Sequence, residues 1–298
     1  MPCYSPIRAW RSRSVGPNGK RQMVFNRRYG LEDQEIPLPC GQCVGCRLER
    51  SRQWAVRIKH ETTLHTDNAF ITLTYDEAHV PDDYSLRPKH FTDFMKRYRK
   101  WVDIPIRYFM CGEYGDLNQR PHYHAIIFGH DFEDKKRYSE KNGNLIYESK
   151  TLDKLWTHGE CKIGSVTFES AAYVARYVMK KRTGKDADDH YERFNPATGE
   201  VYWIEPEYCR MSRRPGIGKG WMDKYGDETY THDSVIINGK ETKPPRYYDQ
   251  QREEEEMEKI KAARKKGVQQ HAWNQTLARL RVREDVKLAQ TKMLRREL

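Results

Sequence analysis

The chain has 298 residues, 37% of them hydrophobic and 33% charged, which indicates one modest core with solvated extensions and excludes a chain buried throughout. Its net charge of +11, with 19 tyrosines and seven tryptophans, favours a binder of unpaired nucleic acid over a charge that serves solubility alone. The sequence contains no apolar run of about 18 residues and no G-x-x-x-x-G-K-[ST] loop, which excludes a membrane-spanning helix and argues against a P-loop motor.

The amino-terminal residues 1–46 carry Pro, Gly and Cys at turn-like spacings and are predicted to be irregular. They lack the apolar segment of a secretory signal, so we expect an intracellular protein whose cysteines stay reduced or bind metal. Cys40, Cys43 and Cys46 form C-x-x-C-x-x-C, and Cys3 supplies a fourth thiolate if the amino terminus folds back. This set suits a structural Zn²⁺ site; an iron–sulfur cluster and plain reduced thiols are the alternatives.

Hydrophobic periodicity predicts the elements of the middle of the chain. In order they are a helix over 47–65, a strand over 69–75, a helix over 89–102, strands over 106–113 and 122–128, a polar surface insertion over 130–150, a strand over 163–168 and a helix over 171–181. Ser170 is predicted to cap the last helix and Gly184 to end it. This order predicts an α+β fold built on an antiparallel sheet.

The sequence after Asp249 is strongly helical and charged on most faces, with breaks at Gly267 and His271. A narrow apolar stripe is formed by Leu277, Leu280, Val282, Val286, Leu288 and Leu294. We interpret this tail as exposed helices that are solvated or dock a partner and carry no chemistry.

A pair of histidines forms the first candidate site. His122 and His124 are two apart in a strand, so both imidazoles project from one sheet face. Glu113 ends the preceding strand, across the predicted hairpin, where its carboxylate can complete the set. Mixed histidine and carboxylate ligation suits Mg²⁺ or Mn²⁺ acting on phosphate better than a closed zinc site. The alternative is two histidines on a polar sheet face without metal.

A helix with two tyrosines forms the second candidate. Tyr173 and Tyr177 are four apart on one helical face, and Lys180 returns to nearly the same face. A phenol has a pKa near 10, so it attacks phosphate only when nearby positive charge stabilises the phenolate. Attack would leave a 5′-phosphotyrosine bond and a free 3′-hydroxyl. The alternative is a helix that uses its tyrosines for packing.

Basic residues complete the candidate contacts to DNA. Arg210, Arg213 and Arg214 precede a Pro-Gly segment and form a basic loop that can hold phosphates; a solvated charged turn is the alternative. Lys181 follows Lys180 and is a further candidate for DNA binding.

Three segments carry a resemblance to a known family. FITLTY at 70–75, RPHYHAIIFG at 120–129 and AYVARYVMKK at 172–181 occur in this order and resemble the three motifs of the HUH endonucleases, in the two-tyrosine form. PCGQCVGCR at 39–47 and MSRRPGIGKGW at 211–221 extend the similarity to the replication initiators of gokushoviruses, small phages of the Microviridae.

The resemblance implies an HUH-like antiparallel sheet with flanking helices, a Cys-rich amino-terminal segment and a charged helical tail. The predicted divisions are a Cys-rich segment and helix over 1–66, a nicking core over 67–230, a linker over 231–250 and the tail over 251–298. It also implies Glu113 as the third metal ligand, because related proteins carry a G-E-x-G segment before the histidines, here at 112–115.

The implied activity is metal-dependent nicking of single-stranded DNA at a phage replication origin, with Mg²⁺ or Mn²⁺, to start rolling-circle replication. Host helicase and DNA polymerase are the implied partners, the host bacterial cytoplasm is the implied location, and no membrane partner is expected. Two other classes of function stay open: a nucleic-acid-binding protein without catalysis, and a metallo-phosphodiesterase that uses water and forms no covalent link.

Overall fold

The computed structural model describes residues 3–115, 118–141, 143–177, 187–195 and 198–293, and of 176 and 177 only the backbone. The chain divides into two compact units. The terminal unit combines Met1–Glu49 with Glu258–Arg296, and the central unit contains Arg50–Met257. No described helix is long and apolar enough to cross a bilayer.

The amino-terminal part of the terminal unit is a small antiparallel sheet. Its elements are β1 (Ile7–Ser12), β2 (Met23–Val24), a 3₁₀ turn (Arg27–Tyr29) and β3 (Gly30–Leu38), in the order β2-β1-β3, and helix α1 (Val44–Thr62) follows. The prediction of irregular structure over 1–46 is therefore wrong. The turn-like residues around Gly16 and Gly19 form a tight turn within the connection from β1 to β2, and Trp10 of β1 is buried.

The central unit contains the middle of the chain. Its elements are β4 (Asn68–Thr74), α2 (Pro88–Val102), β5 (Arg107–Tyr114), β6 (Pro121–Phe128), β7 (Lys136–Lys141), β8 (Asn144–Glu148), α3 (Lys150–Trp156), β9 (Cys161–Gly164), α4 (Phe168–Tyr177), α5 (Ala187–Tyr191), β10 (Glu192–Phe194), β11 (Val201–Trp203), β12 (Tyr208–Met211), α6 (Lys219–His232), β13 (Val235–Ile237), β14 (Lys240–Thr242) and α7 (Arg246–Asp249).

Within the described part of the chain, seven strands form one sheet in the order β12-β5-β6-β4-β9-β8-β7. Every neighbouring pair is antiparallel, so the predicted α+β fold on an antiparallel sheet is confirmed. The polar residues 130–150, predicted as a surface insertion, contain the β7–β8 hairpin, which lengthens the sheet at one edge. Strand β7 is polar because it lies at the edge of the sheet, and of β8 Tyr147 packs partly against the hydrophobic core.

Two hydrophobic layers cover the two faces of this sheet. On β6, Tyr123, Ala125 and Ile127 point into the layer formed with α2 and α3, which includes Phe91, Phe94 and Trp156. The alternate residues of the same strand point to the other layer, formed with α1 and α4. Its buried members are Ala55, Ile58, Phe70, Phe109, Cys111, Ile126, Phe128, Ala171, Val174, Ala175 and Ile217. We call this second side the α4 face.

Helix α4 begins earlier than its sequence predicts. Phe168 is its first residue and not the end of a strand, and Ser170 lies inside it. The cap is reciprocal: Thr167 Oγ1 accepts from the N–H of Ser170 at 3.1 Å, and Ser170 Oγ accepts from the N–H of Thr167 at 2.8 Å. The predicted continuation over 178–181 and the stop at Gly184 lie outside the described residues.

Residues 231–250, predicted as a linker, are folded. They contain the β13–β14 hairpin, whose Val235 and Ile237 pack on Val56, and α7, whose Tyr248 is fully buried. The tail forms α8 (Glu254–Gln269), a 3₁₀ turn (Ala272–Gln275) and α9 (Leu277–Lys292). Helix α8 continues through Gly267, which costs only about 1 kcal/mol in a helix. Of the predicted stripe, Leu280 is buried, Leu277, Val282, Val286 and Leu288 are exposed, and Leu294 lies outside the described residues.

A buried histidine is expected to make the stability of the central unit sensitive to acid. His60 of α1 stacks on Trp221 with ring centroids 3.5 Å apart, and its Nδ1 is 2.9 Å from the hydroxyl of Tyr248. Burial lowers the pKa of His60 to about 3. Below pH ~6.5 the imidazole of His60 is protonated in the unfolded chain but stays neutral in the folded one. The folded state therefore loses stability relative to the unfolded state as the pH falls towards 3.

We therefore expect this residue to remove about 2 kcal/mol from the free energy of unfolding between pH 7 and pH 5. Urea unfolding of the parent protein and of His60→Phe at both pH values measures this. The drop should be smaller by that amount in the variant, because phenylalanine keeps the stacking surface and cannot titrate. Equal drops in both proteins would show that another group carries the acid sensitivity.

Candidate active site

Three side chains of types that can ligate a metal ion meet at one end of the β5–β6 pair. Glu113 lies directly opposite His122 in the antiparallel register, and Cys111 lies opposite His124, so all three candidate ligands share the α4 face. Glu113 Oε1 is 2.9 Å from His122 Nε2 and 2.9 Å from His124 Nε2. The structure thus brings together the three residues that the hairpin pattern suggested.

The other nitrogen of each imidazole has its own contact. His122 Nδ1 is 3.1 Å from the carbonyl oxygen of Arg120, and His124 Nδ1 is 2.9 Å from Thr72 Oγ1. Because a carbonyl only accepts, His122 Nδ1 donates to it, and Nε2 is the ring nitrogen that faces Glu113. The Glu113 oxygen and the two Nε2 atoms can lie this close when protons on the imidazoles, or a cation in their place, lie between them.

The carboxylate in this cluster is charged although it is buried. Glu113 is 1% exposed. Burial alone would raise the pKa of Glu113, but the hydrogen bonds from His122 and His124 and their positive charge outweigh it and hold that pKa well below its ordinary value. A buried anion with two converging imidazoles is a donor set that fits a divalent cation, and contacts such as those of Thr72 and Arg120 orient ligating histidines in metal sites.

The hydroxyl of Thr72 supplies a test of this arrangement. Thr72→Val should lower Mn²⁺ affinity by about 10- to 100-fold, because it removes the contact that orients His124. The matched control is Thr74→Val on the same strand face, whose hydroxyl donates to the carbonyl of Glu160 at 2.7 Å. Calorimetric titration with Mn²⁺ measures both variants. Equal affinities in the two would contradict the orienting role.

Helix α4 brings a tyrosine to the same cluster. Ala171, Val174 and Ala175 are fully buried in the hydrophobic layer of the α4 face, which orients the helix on the sheet. The half-buried ring of Tyr173 then meets the ring of His124 edge to face, with centroids 5.4 Å apart and planes at 83°. Phe70 also stacks on His124, at 5.6 Å.

The remaining candidates of the tyrosine motif are only partly described. Tyr177 is the last residue of α4, one helical turn beyond Tyr173, and its side chain lies outside the described set. Lys180 and Lys181 also lie outside the described residues.

The three arginines of the basic loop are not one group. Arg210 pairs with Met110 in the β12–β5 register, so it belongs to the sheet face opposite the histidines. Its guanidinium is 3.3 Å from Thr92 Oγ1 of α2 and 5.3 Å from the ring centroid of Tyr208. Arg213 and Arg214 follow β12 in an exposed turn. Because alternate residues of a strand point to opposite faces, Arg210 and the candidate ligands lie on opposite faces of the sheet.

Two further residues of the α4 face were missed by sequence reasoning. Thr72 pairs with His124 on one side and with Lys162 of β9 on the other, so Lys162 is a cation on the face of the candidate ligands. Its ammonium lies 3.7 Å from the ring centroid of Tyr138. The signal for Thr72 was present in its strand motif, but no local pattern gives the pairing with β6 and β9.

The four amino-terminal cysteines form a second cluster, in the terminal unit. The sulfurs of Cys3, Cys40, Cys43 and Cys46 all lie within 4.8 Å of one another. The amino terminus therefore does fold back onto the C-x-x-C-x-x-C segment.

Known phage proteins are similar to this chain over most of its length. The replication-associated protein VP4 of Bdellovibrio phage phiMH2K is 35% identical over 260 residues, which cover 83% of this chain and 76% of that relative. The chain belongs to the family of phage replication-associated proteins. The resemblance to phage replication initiators is thereby confirmed.

Two further relatives are also replication-associated proteins of phages and viruses. ORF2 of Spiroplasma virus 4 is 34% identical over 78% of this chain and 71% of its own length. ORF4 of Chlamydia phage 1 is 36% identical over 51% of this chain and 40% of its own length. The family model described as replication-associated protein ORF2/G2P matches residues 68–182, which run from β4 through the histidine strand to the tyrosine motif. No solved structure matches the chain.

Proposed function

We propose that this replication-associated protein nicks single-stranded phage DNA at the replication origin and becomes covalently joined to it through a tyrosine. The observation that carries the proposal is the contact between Tyr173 and His124, which puts a phenol beside a cluster of candidate metal ligands. The relatives are replication-associated proteins, and nicking of the origin strand is the chemistry that would begin replication.

Glu113, His122 and His124 would hold the Mg²⁺ or Mn²⁺ ion. When bound, such an ion polarises a phosphate and neutralises charge that develops on it. The three residues occupy the sheet face on which α4 packs, so a phosphate held by the ion would lie near the tyrosines of α4. Phe70 and Thr72 keep the ring of His124 in place while the phosphate is exchanged.

The hydroxyl oxygen of Tyr173 or Tyr177 attacks the scissile phosphorus, and the phenol gives up its proton. A bond forms between phosphorus and the tyrosine oxygen, and the bond from phosphorus to the 3′ oxygen breaks. The 3′ oxygen takes a proton and leaves as a free hydroxyl. The 5′-phosphotyrosine keeps the bond energy for rejoining, and the second tyrosine permits a second exchange without release of the strand.

Basic residues would hold the DNA backbone. Lys180 contacts the phosphate or stabilises the phenolate, and Lys181, Arg213 and Arg214 bind flanking phosphates. Arg210 contacts DNA only from the other sheet face. Host helicase and DNA polymerase would then unwind and extend the nicked strand in the bacterial cytoplasm.

Gel analysis of labelled DNA tests the proposal against its two rivals. The protein is incubated with Mn²⁺ and single-stranded oligonucleotides that span its own replicon's origin, labelled on the 3′ side of the cut. Covalent attachment shifts the label to the mass of the protein on a denaturing gel, and EDTA abolishes the shift.

Cleavage without any shift would instead support a hydrolytic metallo-phosphodiesterase that uses water. Binding without cleavage of any origin-spanning oligonucleotide would support a nucleic-acid-binding protein without catalysis.

A further inference from the structure

The cysteine cluster of the terminal unit has the dimensions of a site for a single metal ion. Cys3 Sγ is 3.7 Å from Cys40 Sγ, and Cys40 Sγ is 4.0 Å from Cys46 Sγ. A tetrahedral zinc ion with Zn–S bonds of about 2.3 Å places its sulfurs about 3.8 Å apart. A disulfide would need sulfurs about 2.0 Å apart, and none of these four cysteines is in a disulfide.

Backbone amides point at the sulfurs of the same cluster. The N–H of Tyr4 donates to Cys43 Sγ at 3.3 Å, and the N–H of Cys40 donates to Cys3 Sγ at 3.3 Å. Cys40 Sγ accepts in turn from the N–H of Cys43 at 3.2 Å and from that of Gln42 at 3.4 Å. Such donors stabilise thiolates, and thiolates this close repel one another unless a cation lies among them.

We propose that Cys3, Cys40, Cys43 and Cys46 bind one Zn²⁺ ion in a closed structural site, independent of the nicking chemistry. Four protein sulfurs complete a tetrahedron and leave no position for a substrate, which distinguishes this site from the cluster at Glu113. The sulfur spacing also decides against an iron–sulfur cluster, because several iron and sulfide atoms between the thiolates would spread them further apart.

The ion supplies folding energy to a unit with a small core. Among the described residues of the terminal unit, the buried side chains are Cys3, Tyr4, Ala9, Trp10, Ser12 and Leu280. The site joins Cys3 to a segment 37 residues further along the chain and so ties the amino terminus to the start of α1. Small units with few buried apolar groups depend on such metal links, and removing the ion removes their folding energy.

Metal analysis of the full chain tests the site. The parent is a His122→Ala, His124→Ala variant, so that zinc at those histidines is not counted. We expect one zinc per chain in this parent and none after Cys40→Ser and Cys43→Ser are added. Cys209→Ser, at a half-buried cysteine outside the cluster, should keep the zinc. Cobalt in place of zinc should give the visible spectrum of a tetrahedral thiolate site.

Hydrogen exchange of the same parent gives a readout that needs no cysteine variant. Chelation of the metal should speed amide exchange in β1 and β3 and leave β4, β5 and β6 protected. No stoichiometric metal, iron with inorganic sulfide, or zinc that survives the two serine replacements would overturn the proposal. Unchanged exchange in β1 and β3 after the zinc has been removed would overturn its folding role.

Discussion

Replacing both Tyr173 and Tyr177 with phenylalanine is expected to abolish covalent attachment of origin DNA and to lower cleavage by at least ~10³-fold. The reason is that each phenylalanine keeps the ring, and at position 173 the contact with His124, but lacks the attacking oxygen. Label transfer to protein under single-turnover conditions with Mn²⁺ measures the effect.

The matched control for this double variant is Tyr225→Phe, which changes another half-buried helical tyrosine, in α6. It should cleave at the parental rate, and all variants should bind the uncleaved oligonucleotide with similar affinity. Cleavage by the double variant at more than about a tenth of the parental rate would show that neither Tyr173 nor Tyr177 attacks the phosphate, and the absence of label on the protein would then assign the attack to water.

Replacing His124 with alanine is the second change with a large expected effect. It removes a candidate ligand that contacts Glu113 at 2.9 Å and the ring that meets Tyr173. Cleavage with Mn²⁺ should fall by at least ~10³-fold, while affinity for single-stranded DNA should change by less than about threefold, because phosphate contacts supply most of that affinity.

The matched control is His232→Ala, at an exposed histidine in the last turn of α6. It should retain both cleavage and Mn²⁺ binding, and calorimetry on the His124 variant should show Mn²⁺ binding weakened or lost. Normal Mn²⁺ binding with lost cleavage would assign His124 to the chemistry without the metal. Normal cleavage would remove it from the site.

The candidate ligands could be predicted because their pattern is local. His122 and His124 alternate within one strand, so strand periodicity places both on one face, and the resemblance of residues 112–115 to the G-E-x-G segment indicated Glu113, which lies opposite His122. The orienting contact of Thr72 could not be predicted, because it depends on the pairing of β4 with β6 across about fifty residues of sequence. Local patterns do not encode the register of distant strands.

Other differences have equally specific causes. Strand β1 was missed because Arg8 and Arg11 lie exposed beside the buried Ala9 and Trp10, so its apolar signal is short. Arg210 was grouped with its neighbours in sequence, whereas a strand sends alternate residues to opposite faces. In each case the side chain's position follows from a sheet partner that is remote in sequence.

The central claim is that a tyrosine of α4 becomes covalently joined to the 5′ phosphate of cut DNA. The most direct test is to isolate the product of reaction with Mn²⁺ and an origin oligonucleotide, digest it with nuclease and protease, and sequence the peptides by mass spectrometry. We predict a nucleotide or phosphate on the peptide that contains Tyr173 and Tyr177, attached to one of these two residues. Cleaved DNA with a free 5′ phosphate and an unmodified peptide would contradict the account.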